Sequence, residues 1–94
     1  MKQLILKEAI ERIEKMERCF DALRIAVQTD PAAIYETPTL RECLRSLLHY
    51  YEGGQWLRDY ELDEQGQLPG DLKRGVLSQD AVFDLLETIN HSYQ

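Results

Sequence analysis

The chain contains few of the residues from which reactive sites are usually built. Its 94 residues include two cysteines, two histidines and one tryptophan. Cys19 and Cys43 lack the Cys-x-x-Cys spacing, and with His49 and His91 they form no recognisable zinc-ligand pattern. We therefore expect two reduced thiols and neither a metal nor a cofactor.

Basic residues are in the minority, and long apolar runs are absent. The chain has 11 Lys and Arg residues and 17 Asp and Glu residues, and its net charge is −6. Such a balance argues against nucleic-acid binding, which requires a cationic surface. No apolar run approaches the roughly 20 residues that span a bilayer, and Leu4-Ile5-Leu6 is too short for the centre of a signal peptide. We expect a cytoplasmic protein that binds neither nucleic acid nor membrane.

The apolar residues that are present recur with the period of an α-helix. Over residues 3–28 no Gly or Pro interrupts a stripe at heptad spacing, which indicates one long helix. Glu8 and Arg12 are four residues apart, and we expect them to pair on its exposed side. The stripe consists of Leu6, Ala9, Ile13, Met16, Phe20, Leu23 and Val27.

Proline, glycine and serine divide the rest of the chain. Helices are predicted at about 38–52, 55–62 and 79–91, with a loop at 63–77. Thr37-Pro38 marks a start and Gly53-Gly54 a stop, while Ser78 caps the last helix and Asp80 in its first turn complements the helix dipole. No segment alternates as a strand would. The predicted fold is all-α, a single domain over 1–94.

The length of the first helix constrains the architecture. Residues 6–27 span about 33 Å at 1.5 Å per residue, whereas a compact globule of this size is about 30 Å wide. We therefore predict a small elongated bundle built on a long helical hairpin and closed by the last helix. A monomer is favoured. The alternative is a homodimer through the N-terminal helix.

The stretch from Tyr50 to Leu86 carries a recognisable pattern. It begins with Tyr50-Tyr51, Trp56 and the run Asp59-Tyr60-Glu61-Leu62-Asp63-Glu64. It continues as Leu68-Pro69-Gly70-Asp71-Leu72-Lys73-Arg74-Gly75-Val76-Leu77-Ser78-Gln79-Asp80. This pattern resembles a family of small bacterial proteins, domain of unknown function 4298. The resemblance implies a bacterial, cytosolic, stand-alone helical domain, and it implies no activity, substrate or cofactor.

Four carboxylates stand close together in the same stretch. Asp59, Glu61 and Asp63 match the first, third and fifth positions of a calcium loop. The match then fails, because the sixth position is Glu64 instead of Gly and the twelfth is Gly70 instead of Glu. We favour a solvated helix end and turn whose charges are balanced by cations elsewhere in the fold.

Lys73 and Arg74 form the only basic pair in residues 59–94. Since they precede the final helix, one interpretation is an anion docked near its N-terminus. The favoured interpretation is an internal ion pair between Arg74 and Asp59, Asp63 or Glu64. On that basis we expect Arg74→Ala to destabilise the protein more than Arg12→Ala.

The aromatic residues and the thiols also favour a structural role. Trp56 and Tyr60 are four residues apart on one helical face, and we interpret them as core, with a partner-binding surface as the alternative. Cys43 and His49 are badly placed to act together on one helix. The sequence therefore predicts a non-enzymatic protein-interaction module that uses the acidic third or an exposed edge of the first helix. The alternative is a small anion- or metal-binding domain that uses Asp59–Glu64 and Lys73-Arg74.

Overall fold

A computed structural model describes residues 2–93, which form one bundle of α-helices. Helix α1 runs over Lys2–Thr29, α2 over Ala33–Glu36, α3 over Pro38–Glu52, α4 over Gln55–Glu64 and α5 over Gln79–Tyr93. A 3-10 turn at Gly75–Leu77 precedes α5. No strand occurs in this range, so the predicted all-α class is confirmed.

Helix α1 is the axis against which the other elements pack. Contacts join it to α2, α3, α5 and the 3-10 turn, while α4 contacts α3 and the turn. The molecule measures 43 × 24 × 23 Å, so the bundle is elongated as the length of its first helix predicts. The heptad stripe faces inward, with buried Ala9, Ile13, Met16, Phe20 and Leu23.

The predicted helix boundaries agree closely with the observed ones. Helix α3 has Pro38 in its first turn, and Gly54 adopts φ +96° between α3 and α4. A backbone in that left-handed region favours glycine, which is why the chain turns there. Helix α4 extends to Glu64, two residues beyond the predicted end. At the start of α5, Ser78 Oγ accepts a hydrogen bond from the Ala81 amide at 3.3 Å, which is the expected cap.

Asp30-Pro31 indicates a short helical turn after α1, and the one-turn helix α2 follows it, although α2 begins at Ala33 without a side-chain cap; its Ile34 is fully buried. One local prediction needs correction. Residues 63–77 are not a loop throughout, because α4 extends into this stretch and the 3-10 turn occupies its end. Val76 and Leu77 in that turn are buried, so apolar burial stabilises the turn against α1.

Candidate functional site

Asp59 on α4 is the centre of a cluster of hydrogen-bonded polar side chains. This carboxylate is completely buried. Its Oδ2 accepts hydrogen bonds from Arg12 Nε at 2.9 Å and from the Tyr50 hydroxyl at 2.7 Å, and its Oδ1 accepts one from Arg12 Nη2. A buried charge is tolerated only when it is paired and hydrogen-bonded, and both conditions are met here. The cluster thereby joins α1, α3 and α4 through a single side chain.

This arrangement corrects the sequence-based interpretation of Arg12. We expected Arg12 to pair with Glu8 on the exposed side of α1. Its side chain is instead only 27 % exposed and forms a two-point ion pair with Asp59. Among the candidate acids, Asp59 is therefore part of the core and not part of a solvated helix end.

The cluster shifts the protonation equilibria of its members. Burial, assisted by the hydrogen bond to Asp59, raises the pKa of Tyr50 well above its ordinary value. The hydrogen bond to Asp59 also raises the pKa of Arg12. Both shifts favour the protonated forms. Tyr50 therefore acts at neutral pH as a hydrogen-bond donor and not as a base.

Trp56 on α4 connects the aromatic residues to the 3-10 turn. Its Nε1 donates a hydrogen bond to the Val76 carbonyl at 2.8 Å, and the side chain is buried. Its ring stacks on Tyr60 at a centroid distance of 5.1 Å and meets Tyr51 edge-on at 5.2 Å. Trp56 is thus core, as the favoured interpretation predicted. Tyr60 is half-buried, and a hydrogen bond to Glu64 raises its pKa.

Val76 is held from its other side by Glu17 on α1. The Val76 amide donates to Glu17 Oε1 at 2.8 Å, and Glu17 is buried. A Cβ atom on the preceding Gly75 would lie 3.1 Å from Glu17 Oε2 and 3.5 Å from Phe20 Cε2. Only a residue without a side chain allows so close an approach with no adjustment. The turn is therefore bonded to α1 and α4 through one residue.

Arg74 closes the loop that precedes the turn. Its guanidinium forms an ion pair with Asp63 and donates to the Pro69 carbonyl, while Nε donates to the Leu72 carbonyl at 3.2 Å. The internal ion pair favoured by the sequence is present, and Asp63 is its partner. Lys73 instead is exposed and lines a groove of about 380 Å³ between the loop and α1.

The four clustered carboxylates do not converge on one point. Asp59 faces the core, Asp63 contacts Arg74, and Glu61 and Glu64 are exposed. Within the part of the chain that the structure describes, no three His, Cys, Asp or Glu side chains are grouped as metal ligands. These acids therefore have separate local roles.

The two cysteines lie near each other on the inner side of the bundle. Burial, together with a hydrogen bond to Cys43, raises the pKa of the Cys19 thiol to about 12. Because the thiolate is the reactive form of cysteine, this shift leaves Cys19 unreactive near neutral pH.

A family model described as Domain of unknown function (DUF4298) matches residues 13–94. The chain belongs to this family. The match takes in Glu17, Tyr50, Trp56, Asp59 and the 3-10 turn, and it begins one residue after Arg12. No curated protein and no solved structure matches the chain. Over the described residues, no helix is long and apolar enough to cross a membrane.

Sequence reasoning missed three members of the polar clusters in this chain, namely Arg12, Glu17 and Tyr50. Glu17 was detectable, because it lies four residues after Ile13 and three before Phe20, within the apolar stripe. Arg12 occupies the edge of the same stripe, three residues after Ala9. A charged residue on an inward face of a helix indicates a partner elsewhere in the fold, although it does not identify the partner.

Proposed function

We propose that this DUF4298 domain is a non-enzymatic protein-interaction module. The proposal rests on one observation: the polar side chains of the family pattern form hydrogen bonds and ion pairs within the domain. Asp59, Trp56, Asp63 and Arg74 all bond to other parts of the same domain. Within the described residues, every buried polar side-chain atom has a hydrogen-bond partner. The polar interior thus stabilises a scaffold and leaves binding to the outer surface.

The outer surface offers large apolar side chains. Leu4, Ile5, Ile25, Leu57 and Phe83 are each more than half exposed. Single exposed apolar residues are common on monomers, so exposure alone does not define a binding surface. It does provide positions at which a contact with a partner can be detected without disturbing the core.

A photo-reactive phenylalanine analogue placed at one of these positions tests the proposal. Separate variants at Ile25, Leu57 and Phe83 would be expressed in the native host and irradiated, with Lys15 on the exposed side of α1 as a polar control. We expect one discrete adduct with one partner from at least one apolar position and none from Lys15. If no position gives a discrete adduct and the intact protein is purified from its host without a stoichiometric partner, the proposal is wrong.

The second candidate is a small anion-binding domain, now centred on Lys73. Lys73 shares its groove with Arg18 of α1, so two cations face one concave surface. Glu14, Glu17 and Asp21 line the same groove and oppose an anion, and Arg74 is already paired. Thermal melts with phosphate, with magnesium or with calcium separate the two proposals, because a ligand at 100 times its Kd adds about 2.7 kcal/mol of stability.

A further inference from the structure

A groove between α3 and α5 has apolar walls and an acidic rim. Leu48 and Tyr51 line it from α3, and Phe83 and Leu86 line it from α5. Phe83 is 53 % exposed, and the other three are half-buried. Its volume is about 240 Å³, below the range of about 300–1,000 Å³ typical of small-molecule sites. The groove therefore suits individual side chains of a larger partner.

The apolar surface of α5 is wider than the core requires. Val82, Leu85 and Ile89 are buried and supply the inward face of the helix. Phe83 and Leu86 are three residues apart on the neighbouring face, so they extend this surface toward α3. Leu48 and Tyr51 have the same spacing on α3. Two helical ridges of apolar side chains thus flank an open groove, the arrangement into which a third helix packs.

The charges around this groove indicate which kind of partner it can bind. Among the residues that the structure describes, the charged side chains that line it are Glu52 and Glu87, both acidic. Asp80 and Asp84 add exposed negative charge on α5. Arg45, one turn before Leu48 on α3, is paired with Glu42 at 3.2 Å. His91 lies 3.2 Å from Glu87, but both side chains are exposed and the pair is ionic only when His91 is protonated, so Glu87 stays accessible to a basic partner.

A second copy of the chain fits this rim poorly. In a two-fold interface the same surface meets itself, so the acidic rim of one copy would lie against the acidic rim of the other. Like charges opposed across an interface weaken binding by several kcal/mol. A basic partner instead gains from the attraction, since Glu52 and Glu87 line the groove and Asp80 and Asp84 add exposed negative charge on α5.

From this geometry we infer that the groove between α3 and α5 binds a basic amphipathic helix of another protein. Apolar side chains of that helix, three or four residues apart, occupy the space between Phe83 and Tyr51. Its flanking Lys or Arg residues pair with Glu52 and Glu87. This inference rests on the proposed interaction function and specifies the surface and the chemistry of the partner.

A defined probe tests the inference. The probe is an amphipathic Leu/Lys peptide of about 18 residues, long enough to be helical in water. Two matched peptides serve as controls, one with the same residues scrambled and one with Glu in place of Lys. Backbone amide shifts of the labelled, intact protein would locate the binding site. We expect shifts concentrated in residues 48–52 and 83–90 with the Leu/Lys peptide and much weaker effects with either control.

Substitutions in the protein complete the test. We expect Phe83→Ser to weaken binding of the peptide at least tenfold, and Leu57→Ser, at a residue of equal exposure elsewhere, to leave it unchanged. Glu52→Gln combined with Glu87→Gln should weaken binding and reduce its salt dependence. Circular dichroism would confirm that each variant is folded. Equal effects of Phe83→Ser and Leu57→Ser, or equally tight binding of the Glu peptide, would overturn the inference.

The two proposals fail in different ways. If the peptide does not bind the groove while the photo-reactive variant at Ile25 or Leu57 captures one partner, the groove inference is wrong and the interaction function stands. If the peptide binds as expected but no native partner is found at any position, the groove has the inferred chemistry and the proposed cellular function is wrong.

Discussion

Replacing Arg12 with alanine should destabilise the protein strongly. Asp59 has no exposed surface, and Arg12 supplies two of its three hydrogen bonds. Removing one partner of a buried ion pair costs about 3–5 kcal/mol. Because the Arg12 side chain is 27 % exposed, water can enter the vacated space, so we expect the lower end, about 3 kcal/mol. The total stability of such a domain is about 5–15 kcal/mol.

Arg74→Ala is the matched comparison. Arg74 and Asp63 are 33 % and 25 % exposed, so both remain partly hydrated when the pair is broken. We expect a loss of about 1–2 kcal/mol, mainly from the loop carbonyls that Arg74 contacts. This order reverses the one expected from the sequence alone.

Urea unfolding monitored by the fluorescence of the single tryptophan would measure both variants. We expect lower midpoints with an unchanged dependence on urea concentration, as for variants that alter stability alone. In the double variant Arg12→Ala with Asp59→Asn, the loss should be smaller than the sum of the two single losses, because the pair acts as a unit. A loss below about 1 kcal/mol for Arg12→Ala, or one no larger than that of Arg74→Ala, would refute the reasoning.

Three further predictions concern the core, the turn and alkaline pH. Phe20→Ala should cost about 3–5 kcal/mol in the same urea assay because Phe20 is buried, and a loss under about 1 kcal/mol would mean that the ring lies outside the core. Gly75→Ala should cost about 1 kcal/mol because its Cβ would crowd a carboxylate of α1, whereas Gly70→Ala, with no atom within 4 Å, should stay within about 0.5 kcal/mol. Burial raises the pKa of Cys19 from 9.0 to about 12 and raises that of Tyr50 above 10.0, so the unfolded chain releases these protons first. The free energy of unfolding should therefore fall above pH 9, by up to about 1.4 kcal/mol per pH unit for each group. In Tyr50→Phe it should fall less steeply. A free energy of unfolding that is constant or rises between pH 9 and 11 would contradict these pKa shifts.

Local sequence signals predicted most of the fold. The heptad stripe marked α1, Pro38 and Gly54 bounded α3, and Ser78 marked the start of α5. These signals depend on residues within a few positions of one another, which is the range over which periodicity and capping act.

The polar clusters were less predictable because their members are far apart in the chain. Arg12 and Asp59 are separated by 47 positions, and Glu17 and Val76 by 59. Local spacing placed Arg12 beside Glu8, a weak surface pair, whereas a buried carboxylate attracts a guanidinium far more strongly than an exposed one does. Arg74 and Asp63 are only 11 positions apart, and Asp63 is one of the three partners that the sequence suggested, with Asp59 and Glu64.

The bonding of Val76 has a consequence for synthesis of the chain on the ribosome. The inner face of α1 carries Arg12 and Glu17, whose partners are made only later. Without α4 and the turn, Arg12 lacks Asp59 and Glu17 lacks the Val76 amide. We therefore expect α1 to reach its final packing only after α4 and the turn at Gly75–Leu77 have been synthesised and have docked against it.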